Sequence, residues 1–430
     1  MTHLSRIHPY PAMMPDVLAD SLASAYAGRG TRVLDPFCGT GRTLMAAAAR
    51  GAHCVGLDTN PLALLLTRAK AAQARPMALQ QVLSDVRHAR TPGEGTQTGS
   101  FEFGRRVRYF GHAREAELWS IVQWLNALSP NAPEMLVLAA VLSATAREVS
   151  YCRQDQWKIH RISPRLRRSA QKSAWTVFER RLGSVIVELR HSVPLPGRCA
   201  AYPGDARNMC CELAGCNVHR PFDLVITSPP YGDSRTTVQY GGVASLLLSI
   251  VTHLRGIDVP APSGGSIDRG CLGGVPLARH VDCRGWHQYW PRAPTHSGWR
   301  RVGAFLRDMT EVVQGIDECA APKCVAAFVV ARRSVGAARV RLDSFIHDQF
   351  ASRGWRLEHR TRRTISAKLT PARVDSKGRS FMRSRNTATM REEYVLVFRK
   401  RHTSLARVAA GTTCELRRER ALVYRTRAVR

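Results

Sequence analysis

A turn near the middle of the chain has the residue types that an exocyclic amine needs from an enzyme. A short apolar run at residues 222–227 ends in Ser228, Pro229, Pro230 and Tyr231. Because proline fixes φ and carries no N–H group, this turn presents carbonyl acceptors, one hydroxyl and one aromatic face. Carbonyl oxygens can hold the hydrogens of the amine while its lone pair stays free, and the ring of a nucleobase can stack on the tyrosine. A base must leave the duplex to reach such a turn, so the segment predicts chemistry on a flipped base.

A second turn, nearer the N-terminus, has the composition of a ligand cradle. Residues 31–35 predict a short buried strand, and residues 43–50 predict a helix rich in alanine and leucine. Glycines between the two remove side chains, so that a ligand can approach the backbone at the N-terminus of the helix. The predicted cradle consists of Asp35, Pro36, Phe37, Cys38, Gly39, Thr40 and Gly41.

An acidic residue, Asp58, ends the next predicted strand, which covers residues 53–58. Its separation from the glycine turn is close to the roughly 20 residues at which an acid hydrogen-bonds the ribose hydroxyls of a bound nucleotide. A lone acid at the end of a strand is otherwise commonly a helix cap. The spacing favours the ligand role for Asp58, with Asn60 nearby.

These segments also indicate the fold. Strand, turn, helix and strand over residues 31–60 are the opening of a doubly wound α/β sheet. Residues 61–195 have a mostly helical pattern, whereas residues 256–300 are rich in Gly, Pro, Arg, His and Trp. We therefore predict a Rossmann-like sheet with a largely helical insertion and an irregular insertion that contains Gly, Pro and Trp. Later strands are predicted at 222–227, 325–331 and 394–399, and a helix is predicted at 342–352.

The chain carries a large excess of positive charge. Its 430 residues include 64 Lys and Arg against 33 Asp and Glu, a formal net charge of +31. Such an excess concerns partners rather than fold, and a polyanion is the natural partner. Genome composition is the alternative source of the arginines, but it does not explain why acidic residues are so outnumbered. One basic run predicts a phosphate-contacting face, a solvated helix face being the alternative. Its members are Arg161, Arg165, Arg167, Arg168 and Lys172.

Together the turns resemble the motifs of the S-adenosylmethionine-dependent DNA amino-methyltransferases. The glycine turn and Asp58 are similar to the first two motifs of that family, and the turn at Ser228 is similar to the fourth. The segments His8-Pro9-Tyr10-Pro11-Ala12 and Gly204-Asp205-Ala206-Arg207 resemble two further cofactor segments. The resemblance covers roughly half of the chain. It departs from the common pattern in the long segment between the second and third motifs and in residues 232–310.

This resemblance implies a cofactor and a role for each motif. S-adenosyl-L-methionine is the implied cofactor, and no metal is implied. The glycine turn would cradle its methionine part, with the Tyr10 segment closing over that end. Asp58 would hold the ribose, and Asp205 with Ala206 would reach the adenine. The amine held at Ser228 would take the methyl group directly, without a covalent enzyme intermediate.

The form of the fourth motif favours one target base. Ser-Pro-Pro-Tyr is associated with cytosine N4, whereas adenine N6 enzymes usually carry Asp or Asn in place of Ser228. We therefore expect methylation of cytosine N4 in double-stranded DNA, in a restriction–modification system with a cognate restriction endonuclease or by an orphan modification enzyme. An adenine-N6 enzyme, an RNA guanine methyltransferase and a non-catalytic DNA-binding protein stay open. Methylation of carbon 5 is rejected, because it needs a cysteine nucleophile, typically beside a proline, and no Pro-Cys dipeptide occurs.

The motifs divide the chain into four parts. Residues 1–85 are the predicted cofactor-binding half, and residues 86–198 are a mainly helical insertion that is a candidate for DNA contact or target recognition. Residues 199–402 are the predicted catalytic half, interrupted by the irregular insertion at 232–310. A basic tail follows at 403–430.

Cysteine usage and hydropathy indicate the compartment. The 12 cysteines show no disulfide framework, which favours a reducing cytoplasm. Residues 1–20 lack the apolar core of a secretion signal, and the longest apolar stretch is too short to span a bilayer, so no membrane partner is expected. Two loose clusters are candidates for zinc, although free thiols and surface imidazoles are the simpler interpretation. They are Cys210, Cys211, Cys216 and His219, and Cys271, His280, Cys283 and His287.

Overall fold

A computed structural model describes residues 4–89, 107–154, 156–169, 172–232, 238–260, 262–278, 284–290, 296–335, 338–364 and 392–401. The predicted tail at 403–430 lies outside these ranges, as do the zinc candidates His280 and Cys283.

A seven-stranded sheet forms the centre of the protein, in the order β3-β2-β1-β4-β5-β9-β8. Its strands are β1 Arg32–Asp35, β2 His53–Asp58, β3 Arg198–Pro203, β4 Phe222–Thr227, β5 Ala320–Ala331, β8 Trp355–Thr364 and β9 Glu392–Lys400. β1 to β5 pair in parallel, β9 is antiparallel to β5, and β8 is antiparallel to β9. A separate hairpin joins β6 Arg333–Val335 to β7 Ala338–Val340. The predicted doubly wound α/β sheet is confirmed.

Helices cover both faces of this sheet and form a body beside it. In chain order they are α1 Asp16–Tyr26, α2 Arg42–Ala48, α3 Pro61–Ala71, α4 Pro76–Ala89, α5 Val107–Phe110, α6 His112–Leu128, α7 Ala132–Val149, α8 Pro164–Ser169, α9 Ala174–Arg190, α10 Met209–Gly215, α11 Gly241–Val251, α12 Gly264–Gly270, α13 His296–Cys319 and α14 Leu342–Ala351. One face of the sheet packs on α1 and α2, and the other packs on α10, α13 and α14.

The strand order reverses between β1 and β4, which pair directly with each other. In open parallel sheets, ligands bind beyond the carboxyl ends of the strands at such a switch point. The chain leaves β1, β2, β3 and β4 through the four turns that the sequence singled out. The topology therefore collects these turns at one edge.

The helical body has a boundary different from the one that the sequence suggested. Helix α4 runs through the predicted division between residues 85 and 86, because no proline or glycine interrupts it there, and it packs on α9. The apolar helix α7 lies at the centre of the body and is buried along most of its length. Helix α11 belongs to the predicted irregular insertion, yet it packs against α3, α6 and α7 in the same core. Both insertions thus share one hydrophobic core.

The second insertion is less irregular than predicted. It contains α11, α12 and the start of α13. Residues 232–310 were predicted to be irregular, but the apolar run at 243–251 within them forms a helix that neighbouring helices bury. Among the described residues, no helix is both long enough and apolar enough to cross a membrane.

The close contact between α11 and α12 can be tested by substitution. A Cβ at Gly241 would stand 1.9 Å from the carbonyl oxygen of Gly264, a backbone atom that cannot move aside alone. Gly241→Ala should therefore destabilise the protein by about 1–3 kcal/mol, seen as a lower midpoint of thermal unfolding. Gly242→Ala is the matched control, because a Cβ there would meet Ile159 at an ordinary 3.5 Å. Equal midpoints for the two variants would contradict the packing described.

Candidate active site

One cavity of about 470 Å³ lies at the carboxyl edge of the sheet. The predicted catalytic turn and almost all of the predicted cofactor residues line it. They are Tyr10, Asp35, Pro36, Phe37, Cys38, Gly39, Thr40, Asp58, Asn60, Asp205, Ala206, Ser228, Pro229, Pro230 and Tyr231. Gly41 lies at the N-terminus of α2, behind this wall.

The two glycines of the first turn serve different purposes. Both have a left-handed backbone, with φ of +51° at Gly39 and +73° at Gly41. A Cβ at Gly41 would clash with Thr67 at 2.7 Å, so this glycine allows α2 and α3 to pack. A Cβ at Gly39 would meet nothing nearer than the carbonyl oxygen of Phe37 at 4.0 Å. Gly39 therefore keeps space open on the cavity side of the turn.

Helix α3 holds the glycine turn from behind, a support that the motifs did not reveal. The Thr67 hydroxyl donates to the carbonyl oxygen of Gly39 at 2.8 Å, and the Lys70 ammonium donates to that of Thr40 at 2.9 Å. These side chains lie three residues apart and so share one face of the helix. Lys70 is 2% exposed, and burial lowers its pKa to about 7.

Asp35 joins the cofactor turn to the catalytic strand. Its carboxylate accepts hydrogen bonds from the backbone N–H of Phe37 at 3.0 Å, from the Thr227 hydroxyl at 2.6 Å and from the Thr43 hydroxyl. Burial raises the pKa of Asp35 to about 6, while these three donors act in the opposite direction. Since Thr227 directly precedes Ser228, this contact fixes the catalytic turn relative to the glycine turn.

The carboxylate of Asp58 caps two backbone groups in the cavity wall. It accepts from the N–H of Gly39 at 2.9 Å through Oδ2 and from the N–H of Asn60 at 2.8 Å through Oδ1. Each oxygen keeps a further lone pair, which is what a pair of ribose hydroxyls requires. Burial raises the pKa of Asp58 to about 6. The cap and the ligand role are therefore compatible rather than exclusive.

An aromatic wall continues from this acid. The amide Nδ2 of Asn60 donates to the Tyr10 hydroxyl at 2.9 Å. The Tyr10 ring stacks on Tyr240 with centroids 5.8 Å apart and lies against Trp157 at 5.5 Å. Tyr240 comes from the second insertion and lines the cavity, whereas Trp157 comes from the first insertion and supports Tyr10 from outside the cavity lining.

Asp205 lines the cavity, but its carboxylate is already paired. Arg207 donates through Nε at 2.9 Å to each of its oxygens, and the same guanidinium reaches Asp308 at 3.1 Å and the carbonyl oxygen of Gly270 at 3.2 Å. Gly270 is followed by Cys271, which lines the cavity as well. The predicted contact of Asp205 with an adenine amino group would have to share this carboxylate with Arg207.

The catalytic turn has partners that the sequence did not indicate. The Tyr231 hydroxyl donates to Glu393 Oε1 at 3.0 Å, and Glu393 Oε2 pairs with Arg363 at 3.2 Å. Burial raises the pKa of Tyr231 above its ordinary value, and the Glu393 carboxylate adds to this effect. The pair fixes one end of the Tyr231 ring at the cavity.

Further cavity residues were also missed, among them Met13 and Met14 before α1 and Arg42 at the start of α2. The Thr40 hydroxyl lies 3.3 Å from Met13 Sδ. Met13 and Met14 belong to no recognisable sequence motif, so only the folded structure shows that they line the cavity.

The basic run lies outside the cavity lining, and part of it has partners within the protein. Lys172 pairs with Glu148 at 3.0 Å, and Arg167 donates to the carbonyl oxygen of Ile162 and packs on the Tyr151 ring. Arg161 is exposed, and Arg165 and Arg168 lie in α8. DNA contact by this run stays a prediction. Within the described residues, no group of three or more potential metal ligands comes together.

Comparisons with known proteins agree with the motifs. A family model described as DNA methylase matches residues 2–67, which include the glycine turn and Asp58. The chain is 27% identical over 266 residues to the type II methyltransferase M.MvaI of Kocuria varians, covering 57% of this chain and 56% of that protein. These matches show that the chain is similar to DNA amino-methyltransferases, most clearly in its N-terminal cofactor motifs. The chain spans about half of the length of this relative.

Other similarities are weaker. The type II methyltransferase M.MjaII of Methanocaldococcus jannaschii is 27% identical over 84 residues, 20% of this chain and 16% of that protein. The solved rRNA methyltransferase aviRa of Streptomyces viridochromogenes aligns over 91% of this chain and 88% of its own, at 12% identity and a TM-score of 0.32. TrmN of Thermus thermophilus aligns over 90% of this chain and 49% of its own, at 12% identity and a TM-score of 0.30. Scores this low add nothing to the fold described above.

S-adenosyl-L-methionine is the cofactor of this family, and the cavity fits it. The open space at Gly39 admits a ligand to the backbone, and Asp58 offers acceptors for ribose hydroxyls. The rings of Tyr10 and Tyr240 supply flat apolar surface beside that acid.

The role of Gly39 can be measured against a matched glycine. Gly39→Ala places a methyl group on the cavity side of the turn and should weaken binding of S-adenosyl-L-methionine at least tenfold, about 1.4 kcal/mol. Gly30→Ala is the control, because Gly30 also has a positive φ, +79°, and a Cβ there meets no atom within 4 Å. Both variants carry similar backbone strain, so titration calorimetry isolates the effect of the cavity. Equal affinities in the two variants would mean that the cofactor does not approach Gly39.

Proposed function

We propose that this chain is a DNA methyltransferase that transfers a methyl group from S-adenosyl-L-methionine to the exocyclic N4 of cytosine in double-stranded DNA. The observation that carries the proposal is the shared cavity, where the turn Ser228-Pro229-Pro230-Tyr231 faces the same space as the glycine turn and Asp58. A cofactor and a target amine held by these turns would lie next to each other. Both curated relatives named above are type II methyltransferases, which supports a restriction–modification setting with a cognate endonuclease.

The catalytic turn would act by orientation. Two prolines leave the turn without N–H donors at those positions, so it presents acceptors to the hydrogens of the amine. Ser228 adds a hydroxyl, and Tyr231 adds a stacking face whose position Glu393 fixes. When bound, S-adenosyl-L-methionine supplies the methyl group. Placing two reactants in one geometry in this way removes much of the entropic barrier of a bimolecular step.

The wall of Tyr10, Trp157 and Tyr240 would hold the cofactor side of the cavity. Its rings pack on each other, and His8 packs against Trp157 at 6.3 Å. The hydrogen bond from Asn60 to the Tyr10 hydroxyl connects this wall to Asp58 through one residue. The wall and the acid would therefore order around the ligand together.

Double-stranded DNA would bind over the open side of the cavity, with the target base flipped. The net charge of +31 supports a polyanionic substrate. Arg161 is exposed and pairs through its backbone with Cys152, in the loop that packs Trp157 against Tyr10 of the cavity wall. This position makes Arg161 the member of the basic run best placed for a phosphate contact beside the flipped base.

Substitution of Tyr231 distinguishes stacking of the base from binding of the cofactor. Stacking of a base on an aromatic ring is worth roughly 1–3 kcal/mol, so Tyr231→Ala should lower kcat/KM for methylation about 5- to 150-fold. Affinity for S-adenosyl-L-methionine should stay unchanged, because the ring is not part of the glycine turn. Tyr231→Phe is the matched control. It keeps the ring and removes only the hydrogen bond to Glu393, so it should retain most of the activity.

The product identifies the base and the substrate class. Methylated DNA is digested to nucleosides and analysed by mass spectrometry, with N4-methylcytosine as the expected product. Detection of N6-methyladenine would mean that the target base is adenine, with the same direct transfer to an exocyclic amine. Methylation of RNA alone would mean that the substrate is RNA. A protein that binds DNA but neither binds the cofactor nor methylates the DNA would be a non-catalytic DNA-binding protein. A fully active Tyr231→Ala enzyme would show that the base does not lie on this turn.

The electrostatic contribution to DNA binding is tested by salt titration. Each phosphate contact should contribute a slope of about −0.9 to log K against log salt. Arg161→Ala should reduce the magnitude of the slope by about that amount, with a similar change for specific and non-specific DNA. Arg198→Ala is the control, because this exposed arginine begins β3 at the amino edge of the sheet, opposite the cavity. An unchanged slope for Arg161→Ala would show that Arg161 does not contact a DNA phosphate.

A further inference from the structure

Two cysteines from distant parts of the chain meet outside the cavity. Cys210 lies in α10 and Cys319 ends α13, and their sulfur atoms are 3.3 Å apart although 109 residues separate them. Both are free thiols. A disulfide requires the two sulfurs to approach to about 2.05 Å, so only a small movement of the side chains separates this pair from a bond.

Charged groups make the pair asymmetric. The guanidinium of Arg220 lies 4.0 Å from Cys319 Sγ, whereas the Glu318 carboxylate lies 3.3 Å from Cys210 Sγ. The hydrogen bond from Cys210 lowers the pKa of Cys319, and Arg220 acts in the same direction. The pKa of Cys210 is raised by the same hydrogen bond, by burial and by Glu318. The pair is therefore asymmetric, with Cys319 the more acidic thiol and Cys210 the less acidic one.

This pair differs from the other facing cysteines in its exposure and in the pKa of its thiols. Cys319 is 1% exposed and touches the half-buried Cys210, so a small oxidant has to reach Cys319 past Cys210, from the side of α10. Cys54 and Cys199 also face each other, in register on β2 and β3. Burial raises the pKa of both of those thiols, and Cys54 is buried. Thiolate character and exposure control cysteine oxidation, and both favour the first pair.

We propose that Cys210 and Cys319 form a redox-active dithiol that closes to an intramolecular disulfide when a peroxide oxidises it. The Cys319 thiolate attacks one peroxide oxygen, the O–O bond breaks, and a sulfenic acid and hydroxide result. The Cys210 sulfur then attacks the Cys319 sulfur, the S–O bond breaks, and the Cys210 proton leaves with the hydroxyl as water. The hydroxide takes up the proton released when the thiolate formed. Two thiols are oxidised, and the peroxide is reduced to two molecules of water.

The bond would add a covalent connection between α10 and α13. It would add to an ion pair of Arg207 with Asp308 in α13, since Arg207 lies just before α10 and holds Asp205 in the cavity wall. A disulfide at Cys210 would fasten the helix that directly follows this wall. The dithiol is independent of the proposed methyl transfer, so each can fail without the other.

The test treats the intact chain with hydrogen peroxide, blocks remaining thiols with an alkylating reagent, and maps peptides by mass spectrometry. The expected product is a peptide pair joined through Cys210 and Cys319, lighter by two hydrogen atoms and released by dithiothreitol. It should form before any product at Cys54 or Cys199. No joined pair, or indiscriminate pairing among the cysteines, would overturn the proposal.

Two variants test the chemistry. Cys210→Ser should abolish the joined pair and let Cys319 proceed to a sulfinic acid, because the resolving thiol is gone. Arg220→Met should slow disulfide formation several-fold and leave the product unchanged, because it removes the cation beside the thiolate. Arg353→Met is the matched control, since that arginine contacts only Gln349 and Ser352 among its described hydrogen-bond partners. If Arg220→Met oxidises at the rate of the control, Arg220 does not activate Cys319 and the proposed thiolate attack is wrong.

Discussion

At the end of β1, the Asp35 carboxylate accepts hydrogen bonds from three parts of the chain. They are the start of the glycine turn at Phe37, the helix α2 at Thr43 and the end of β4 at Thr227. Because β1 and β4 flank the switch point of the sheet, one buried group sets the relative position of both functional turns. Burial raises the pKa of Asp35 to about 6, and its donors offset part of the cost of burying the charge.

Helix α3 supplies the complementary constraint from the other side of the turn. Asn60 caps its N-terminus and reaches Tyr10, while Thr67 and Lys70 hold two carbonyl oxygens of the glycine turn. A buried lysine is costly, and burial lowers its pKa to about 7. The hydrogen bond from Lys70 to the carbonyl oxygen of Thr40 offsets part of this cost. The cradle is thus rigid before any ligand arrives, which reduces the entropy lost on binding.

The sequence predicted the parts of the site that are local in the chain. Glycines, prolines and a strand-end acid carry their conformational meaning within a few residues, and the sheet then brings their turns to one edge. Glu393, Arg363 and Tyr240 were missed because they reach the cavity through tertiary packing, with 162 residues between Tyr231 and Glu393. Element boundaries failed for the same reason. The helix at 241–251 forms in a segment predicted to be irregular because α3, α6 and α7 bury it.

The cavity wall of Tyr10 and Tyr240, with Trp157 packed on Tyr10, is assembled from the N-terminal segment and from both insertions. A chain with either insertion exchanged for that of a relative would keep its sheet and its motifs, yet lose one ring of the wall unless the new segment carried a matching one. The two insertions are therefore not interchangeable as separate units. Substitutions on their outer surfaces would leave the packing of Trp157 and Tyr240 on Tyr10 unchanged.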